Sequence, residues 1–306
     1  MIKEIQEILN IPQTGEFDDF TEAAIRNFQL KHSLLVTGVL DNETKEKLIP
    51  NKTDGFISTD LSELPRETSK EDIPIKKYPI KKLDPKGKEN YFSNSPKESL
   101  FLHFTAGWDN PYSVIKDWEN DTRGPIATQF VIGGIHGQTL ASQFDGEIVQ
   151  CLEYENYGWH LGIGNTSVHR NSIGIEMCCL GPLTKRVNDY FMWDNKRVSP
   201  KIIIDLKRDF RGYRYFHKLS ENQLKSLDFL IRKIGSDTGI DITKGMKQRL
   251  KTMDPWKAFD FDQDIVNGKV KGLFCHSNVS PKNRFGNYEK WDFFPQPELI
   301  DLINSL

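Results

Sequence analysis

The sequence predicts an α/β protein in two parts. A small N-terminal three-helix module precedes a larger domain whose central mixed β-sheet is flanked by helices. Three observations predict this. Residues 1–49 carry apolar stripes at helical spacing, residues 50–95 lose that period, and from residue 97 short, nearly continuous apolar runs alternate with helical patterns. A chain of 306 residues has room for two domains, one with a sizeable core.

In the first part, Ile2, Ile5, Ile8 and Leu9 share a helical face. Asp19 and Glu22 form a capping pair ahead of a second stripe, Ala24, Ile25 and Phe28. In "VTGVLDNET", Gly38 makes a turn between Thr37 and Val39, and Asp41 caps a third helix ending at Leu48. The stretch "TGEFDDFTEAAIRNFQLKHSLLVTGVLDNETKEKL" resembles the peptidoglycan-binding module of the three-helix type, in its "TEAAIRNFQ" and "VTGVLDNET" segments. The resemblance implies anchoring to the cell wall. Residues 50–95, rich in proline, lysine and polar side chains, read as a linker, solvated or partly docked, and "IKKYPIKK" as a solvated, extended tether rather than a basic peptide for polyanions.

Beyond it, "SLFLHFT", "TQFVIG", "EIVQCLE", "SIGIEMCC" and "GLFCHS" read as strands of one sheet covered on both faces. "SENQLKSLDFLIRKIG" reads as the clearest helix. Ser220 and Gln223 form a capping box, Leu224, Leu227, Ile231 and Ile234 line one face, and Gly235 is the expected stop.

Composition narrows the function. A net charge of −2 gives no global attraction to nucleic acid or anionic membranes. No apolar run is long enough to cross a bilayer. The N-terminus "MIKEIQEILNIPQTG" lacks the h-region of a signal peptide, so delivery to a target outside the cytoplasm needs another route. Cys151, Cys178, Cys179 and Cys275 show no CxxC spacing and are expected as reduced thiols.

The chemistry concentrates at strand ends. Alternation in "SLFLHFT" sets Leu100, Leu102 and Phe104 against Phe101, His103 and Thr105, which puts His103 at the rim of a buried strand. His276 ends a second apolar run in the same way. Singly, each histidine is more often a satisfied core or rim residue than a ligand. Glu176 shares a strand face with Gly174 and Cys178, and a carboxylate there costs several kcal/mol unless paired or neutralised. Either a cationic partner holds it, or it is a general base with a raised pKa. Two histidines and this glutamate are the minimal parts of a zinc hydrolase.

Three neighbours compete for the metal. Cys275 adjoins His276 and points to the opposite strand face, Cys178 reads as a small buried hydrophobe, and His160 remains open. "DFDQDIVNGKVK" imitates a calcium loop but carries Ile265 at the glycine position and Lys271 at the last. His32, His136, His169 and His217 have no partner spacing and read as surface or packing residues.

From about residue 97 to 300, "LHFTAGW", "FVIGG", "DGEIVQ", "GWHLG", "NSIGIE", "RGYRYF" and "CHSNVSP…KWDFFP" follow one another as in the zinc-dependent N-acetylmuramoyl-L-alanine amidases of the type-2 family, which include peptidoglycan recognition proteins and phage endolysins. That resemblance implies zinc ligands at His103, His276 and Asp292, a catalytic Glu176, an assisting Lys290, and substrate contacts from Trp159 and His160. Relatives place the lysine and the third ligand closer to the second histidine, where direct counting reaches Arg284 and Gly286. Glycine has no ligand, and treating "NRFGNY" as an inserted loop restores the spacing at "EKWDFFP". The implied protein is a monomeric endolysin acting on bacterial peptidoglycan, with no nucleic-acid partner and no membrane insertion. The alternatives are a recognition protein of the same fold without catalysis, or an amidase that recycles wall fragments.

Overall fold

A computed structural model of the chain describes residues 72–81, 96–107 and 109–306, together with 2–9, 13–15, 21, 24–25, 28–29, 32, 34, 40 and 42–48. The chain divides into two compact units, Met1–Ser69 and Lys70–Leu306. In the first unit, helices α1 (Ile2–Ile8) and α2 (Asn42–Leu48) contribute to a small core with Ile5, Ile25 and Leu48 buried. Two buried glutamines organise it. Gln6 donates to Thr14 and Thr21, each at 2.8 Å, and Gln29 donates to Thr44 at 2.9 Å. Each amide thus replaces its lost water with side-chain partners. Ile8, expected on the buried stripe, is 46% exposed, because the buried face of α1 is centred on Ile5 and Gln6. The expected Asp19–Glu22 cap and the turn at Gly38 and Asp41 lie outside the described residues.

The second unit is a mixed α/β domain. Its strands are β1 (Ile75–Lys77), β2 (Ser99–Phe104), β3 (Phe130–Ile132), β4 (Ile148–Gln150), β5 (Ser172–Met177), β6 (Pro182–Arg186), β7 (Asp189–Phe191), β8 (Arg197–Val198), β9 (Ile203–Phe210), β10 (Tyr213–His217) and β11 (Gly272–Cys275). Its helices are α3 (Pro111–Glu119), α4 (Thr166–Arg170), α5 (Glu221–Thr238), α6 (Met246–Thr252), α7 (Pro255–Ala258), α8 (Gln263–Val266) and α9 (Pro297–Ser305). A six-stranded mixed sheet runs β1-β4-β3-β5-β2-β11, with β3, β5, β2 and β11 mutually parallel.

Strand alternation feeds two cores. Leu100, Leu102, Ile173, Ile175 and Met177 pack with Leu227, Leu230, Ile231 and Ile234 of α5 and with Leu299 and Ile303 of α9. On the opposite face, Val131, Val149 and Cys178 pack with Ile115 of α3, and Phe101 and Phe274 pack with Leu161 and Ile265. Cys178 is fully buried, as a small apolar filler would be.

Three expectations are corrected. The domain holds a second sheet, five-stranded and antiparallel, in the order β8-β7-β6-β10-β9. Its strands mix charged and apolar residues because one face meets solvent, so no apolar run marks them. Helix α5 does not stop at Gly235, which packs beneath Ile240 and Ile242; it ends at Gly239, whose φ of 76° lets it close the last turn. The Ser220–Gln223 capping box is present. Part of the expected tether is strand β1, which pairs in parallel with β4 from Ile75↔Ile148 to Lys77↔Gln150. Tyr78 N–H continues the ladder to the Gln150 carbonyl at 2.9 Å, and Lys76 meets Glu147 at 2.8 Å.

Candidate active site

Parallel register sets the first two groups. β2 and β5 pair with His103 opposite Glu176, so both side chains leave the same face at the C-terminal ends of neighbouring strands. Open α/β sheets present ligands at such ends. His276 follows directly on β11, the other neighbour of β2, and opens a short 3-10 turn, His276–Val279. Asp292 arrives from the irregular segment before α9 and is 6% exposed. His103, His276 and Asp292 each offer one ligand atom, and these atoms lie within 4.8 Å of one another. His103 Nδ1 stands 3.0 Å from His276 Nδ1, which stands 2.8 Å from Asp292 Oδ2.

The protons on these rings can be placed from their partners. His276 Nε2 lies 3.0 Å from the Leu161 carbonyl, which only accepts, so Nε2 carries a proton and, in the neutral ring, Nδ1 holds the lone pair. Ser172 Oγ donates to the His169 carbonyl at 3.2 Å and therefore accepts from His160 Nε2 at 2.9 Å. That leaves His160 Nδ1 as the acceptor for His103 Nε2–H at 2.9 Å. His103 Nδ1 is then also unprotonated. Burial, with His276 and His160 next to it, holds the His103 pKa well below the ordinary histidine value, so the ring stays neutral. Two imidazole lone pairs and a carboxylate oxygen thus face one another, and only a cation, a proton or a metal ion, can settle between them.

The donor set suits zinc. Two nitrogens and one carboxylate oxygen leave one tetrahedral position open, as catalytic zinc sites require. Zinc–nitrogen bonds of about 2.0–2.1 Å would hold tetrahedral nitrogens roughly 3.3 Å apart, a small opening of the present 3.0 Å.

Glu176 faces this cluster. Among the described residues no hydrogen bond or ion pair holds its carboxylate, and Lys290 acts on it only through its charge. Burial, with Asp292 adding to it and Lys290 offsetting it, pushes its pKa up to about 8. His103, Glu176, His276, Lys290 and Asp292 line one cleft of about 490 Å³, whose walls include Trp118, Trp159 and His160. Trp159 is 48% exposed, with its ring packed close to Gly124. Lys290 is exposed at the rim. His160 is buried and spans Ser172 and His103, so the structure places it behind the cluster as a support as well as in the cleft wall. Gly174 makes room for it, since a Cβ there would meet Thr128 at 2.6 Å and His160 Nδ1 at 3.1 Å.

Of the competitors, Cys275 lies in the opposite core with Met177 and Phe294. The calcium-like segment is spent on structure, with Asp260 bonded to Arg211 and Asp262 to Arg249. Sequence reasoning missed Ser172, the Leu161 carbonyl and His169. His169 packs edge-on to His160 at 5.8 Å and lends its carbonyl to Ser172. A serine hydroxyl and two carbonyls carry no spacing signal; only the fold brings them to the rings.

Residues 2–48 match the family described as "Putative peptidoglycan binding domain". No curated protein matches the chain. Solved structures similar to it are peptidoglycan amidases and endolysins at low identity. The N-acetylmuramoyl-L-alanine amidase LysC from Clostridium intestinale URNW is 13% identical over 76% of this chain and 95% of that one, with a TM-score of 0.39. A mutant endolysin from Bacillus subtilis is 21% identical over 61% and 97%, with a TM-score of 0.33. The N-acetylmuramyl-L-alanine amidase AmiD from E. coli is 18% identical over 52% and 49%, with a TM-score of 0.30. At such TM-scores the likeness carries no argument about the chemistry of this chain. What is established by comparison is the peptidoglycan-binding match of its first segment.

Proposed function

We propose that this protein is a zinc-dependent peptidoglycan hydrolase of the endolysin kind, which cleaves the amide between N-acetylmuramic acid and L-alanine of the stem peptide. The observation that carries the reading is the meeting of three lone pairs, on His103, His276 and Asp292, beside a glutamate with no partner of its own. A zinc ion held by those three residues would supply Lewis acidity and lower the pKa of water at the open position.

The remaining roles follow from the side chains. Glu176 takes a proton from the attacking water and returns it to the departing alanine nitrogen. The amide nitrogen needs this, because it leaves as an amine rather than as an anion. The Lys290 ammonium at the rim offsets charge developing on the carbonyl oxygen. The exposed ring of Trp159 offers an apolar face to the substrate, and His160 orients His103. The N-terminal module, residues 1–49, would hold the enzyme on its insoluble polymer and raise local concentration through the segment that follows.

A recognition protein without catalysis has no need of a half-buried carboxylate, free of hydrogen bonds among the described residues, beside the donor cluster, which favours the enzyme. Mass analysis of peptidoglycan fragments after digestion tests the reading. Release of free L-alanine amino termini with intact glycan is the expected product pattern. Glycan cleavage, cleavage within the stem, or binding without fragments contradicts it.

A further inference from the structure

The turn between β9 and β10 carries a buried cation that the chemistry above leaves unused. The side chain of Arg211 is 1% exposed. Its Nη1 donates to the Lys290 carbonyl at 2.6 Å and its Nη2 to the Ser277 carbonyl at 2.6 Å. Nε and Nη2 both reach Asp260 Oδ1, at 3.1 and 2.7 Å. The guanidinium lies 4.6 Å from the centre of the Tyr288 ring. The Arg211 carbonyl in turn accepts from Trp291 Nε1 at 3.1 Å.

These contacts fall beside the donor cluster. Ser277 follows His276, and Lys290 precedes Asp292 by two positions. The two segments also touch directly, through Ser277 N–H and the Asp292 carbonyl. The loop between them closes on itself, with Asn283 N–H to the Asn287 carbonyl at 2.8 Å and Phe285 71% exposed at its tip. Core packing reaches Asp292 from its C-terminal side, through the buried Phe293 and Phe294, while its N-terminal side joins this exposed loop. A guanidinium is unfavourable to bury unless its N–H groups are satisfied, and here four hydrogen bonds satisfy it.

We propose that Arg211 is a positioning residue: from the accessory sheet it clasps the backbone of both late segments, so that Asp292 meets His276 and Lys290 faces the cleft. This rests on the zinc reading above. It also accounts for the long spacing between His276 and Asp292, because a clasp from outside replaces the fixed geometry of a short connection.

The test measures zinc affinity of the full chain by competition with a chromophoric chelator, at a temperature where circular dichroism shows every variant folded. Arg211→Ala should weaken zinc binding by roughly 10- to 100-fold, the range for groups that orient metal ligands. Arg211→Lys keeps the charge but not the fork, and should fall between wild type and Arg211→Ala. Amide exchange at Ser277 should quicken in both. Arg214→Ala, which breaks an exposed pair with Asp205 on the same hairpin, should bind zinc normally. If Arg211→Ala does not fold, Arg211→Lys and Asp260→Asn carry the test. Folded Arg211 variants with wild-type zinc affinity overturn the clasp alone. Failure of the unmodified protein to bind zinc overturns the proposed function and the clasp with it.

Discussion

Replacing Ser172 by alanine removes one hydroxyl, two bonds away from the donor cluster, and should still be felt there. Ser172 Oγ is the acceptor that keeps the proton of His160 on Nε2. Without it that buried N–H has no partner, which costs about 1–3 kcal/mol. His160 can escape the cost by moving its proton to Nδ1, which faces His103 Nε2. His103 must then carry its own proton on Nδ1, the atom aimed at His276 and at the proposed zinc position. The bias toward the zinc-ready tautomer therefore falls by about 1–3 kcal/mol, roughly a fivefold to hundredfold loss of zinc affinity. Chelator competition at pH 7.5 reads that loss directly, and thermal melting of the zinc-free protein separates it from general destabilisation. A Ser172→Ala protein that binds zinc as tightly as wild type would refute the tautomer relay.

Other outcomes follow from the same structure. Glu176→Gln should bind zinc normally while turnover on muropeptides falls by at least 10²–10⁴-fold, the usual contribution of a general base; retained turnover removes Glu176 from that role. A truncated protein spanning 70–306 should fold as a unit, whereas one spanning 96–306 loses β1 and the partly buried Ile73, Ile75 and Ile80, at about 3 kcal/mol, and bares the edge of β4. Equal urea midpoints for the two would contradict the docked strand. His217 is buried with Nδ1 accepting the Leu180 N–H at 3.1 Å, and burial lowers its pKa to about 4. The unfolded chain takes up a proton near pH 6.5 that the folded chain refuses. This group's contribution is therefore complete above pH 6.5 and is lost as pH falls through about 4, by up to about 3 kcal/mol. In His217→Asn, where Oδ1 takes over as acceptor, urea unfolding should show a shallower loss between pH 7 and 4.5; an unchanged slope would place the acid sensitivity elsewhere.

Much of the fold was legible where burial is two-sided. The runs around Leu100, Phe130, Val149, Ile175 and Phe274 are strands because both of their faces meet a core, and an unbroken apolar run is the trace of that. Period-two alternation alone put His103 and Glu176 on the faces they occupy, and parallel register then set them side by side. The half-solvated accessory sheet was hidden because "IIDLKRDF" and "YRYFH" spread charge along a strand whose other side is apolar. β1 was hidden inside a lysine- and proline-rich stretch, since three residues on a sheet edge need only backbone groups to pair. Gly235 misled for a related reason. A glycine in a helix marks either an end or a close approach, and here Ile240 and Ile242 press against it.

The candidate site divides in the same way. His103, Glu176 and His276 could be singled out from residue type and position, and Asp292 through the family resemblance. The groups that orient them are a serine, a helix carbonyl, the Leu161 carbonyl and a turn arginine, drawn from positions 161 to 211. None of these has a distinguishing spacing, and each acquires its part only when the sheet closes.

X-ray diffraction at the zinc absorption edge, on crystals of the full chain grown with stoichiometric zinc, tests the central claim most directly. The expected result is one anomalous peak about 2.0–2.2 Å from His103 Nδ1, His276 Nδ1 and an Asp292 carboxylate oxygen, with Glu176 facing the fourth position. A peak at Nε2 of either ring, one that leaves Asp292 out, or no bound zinc at all would contradict it.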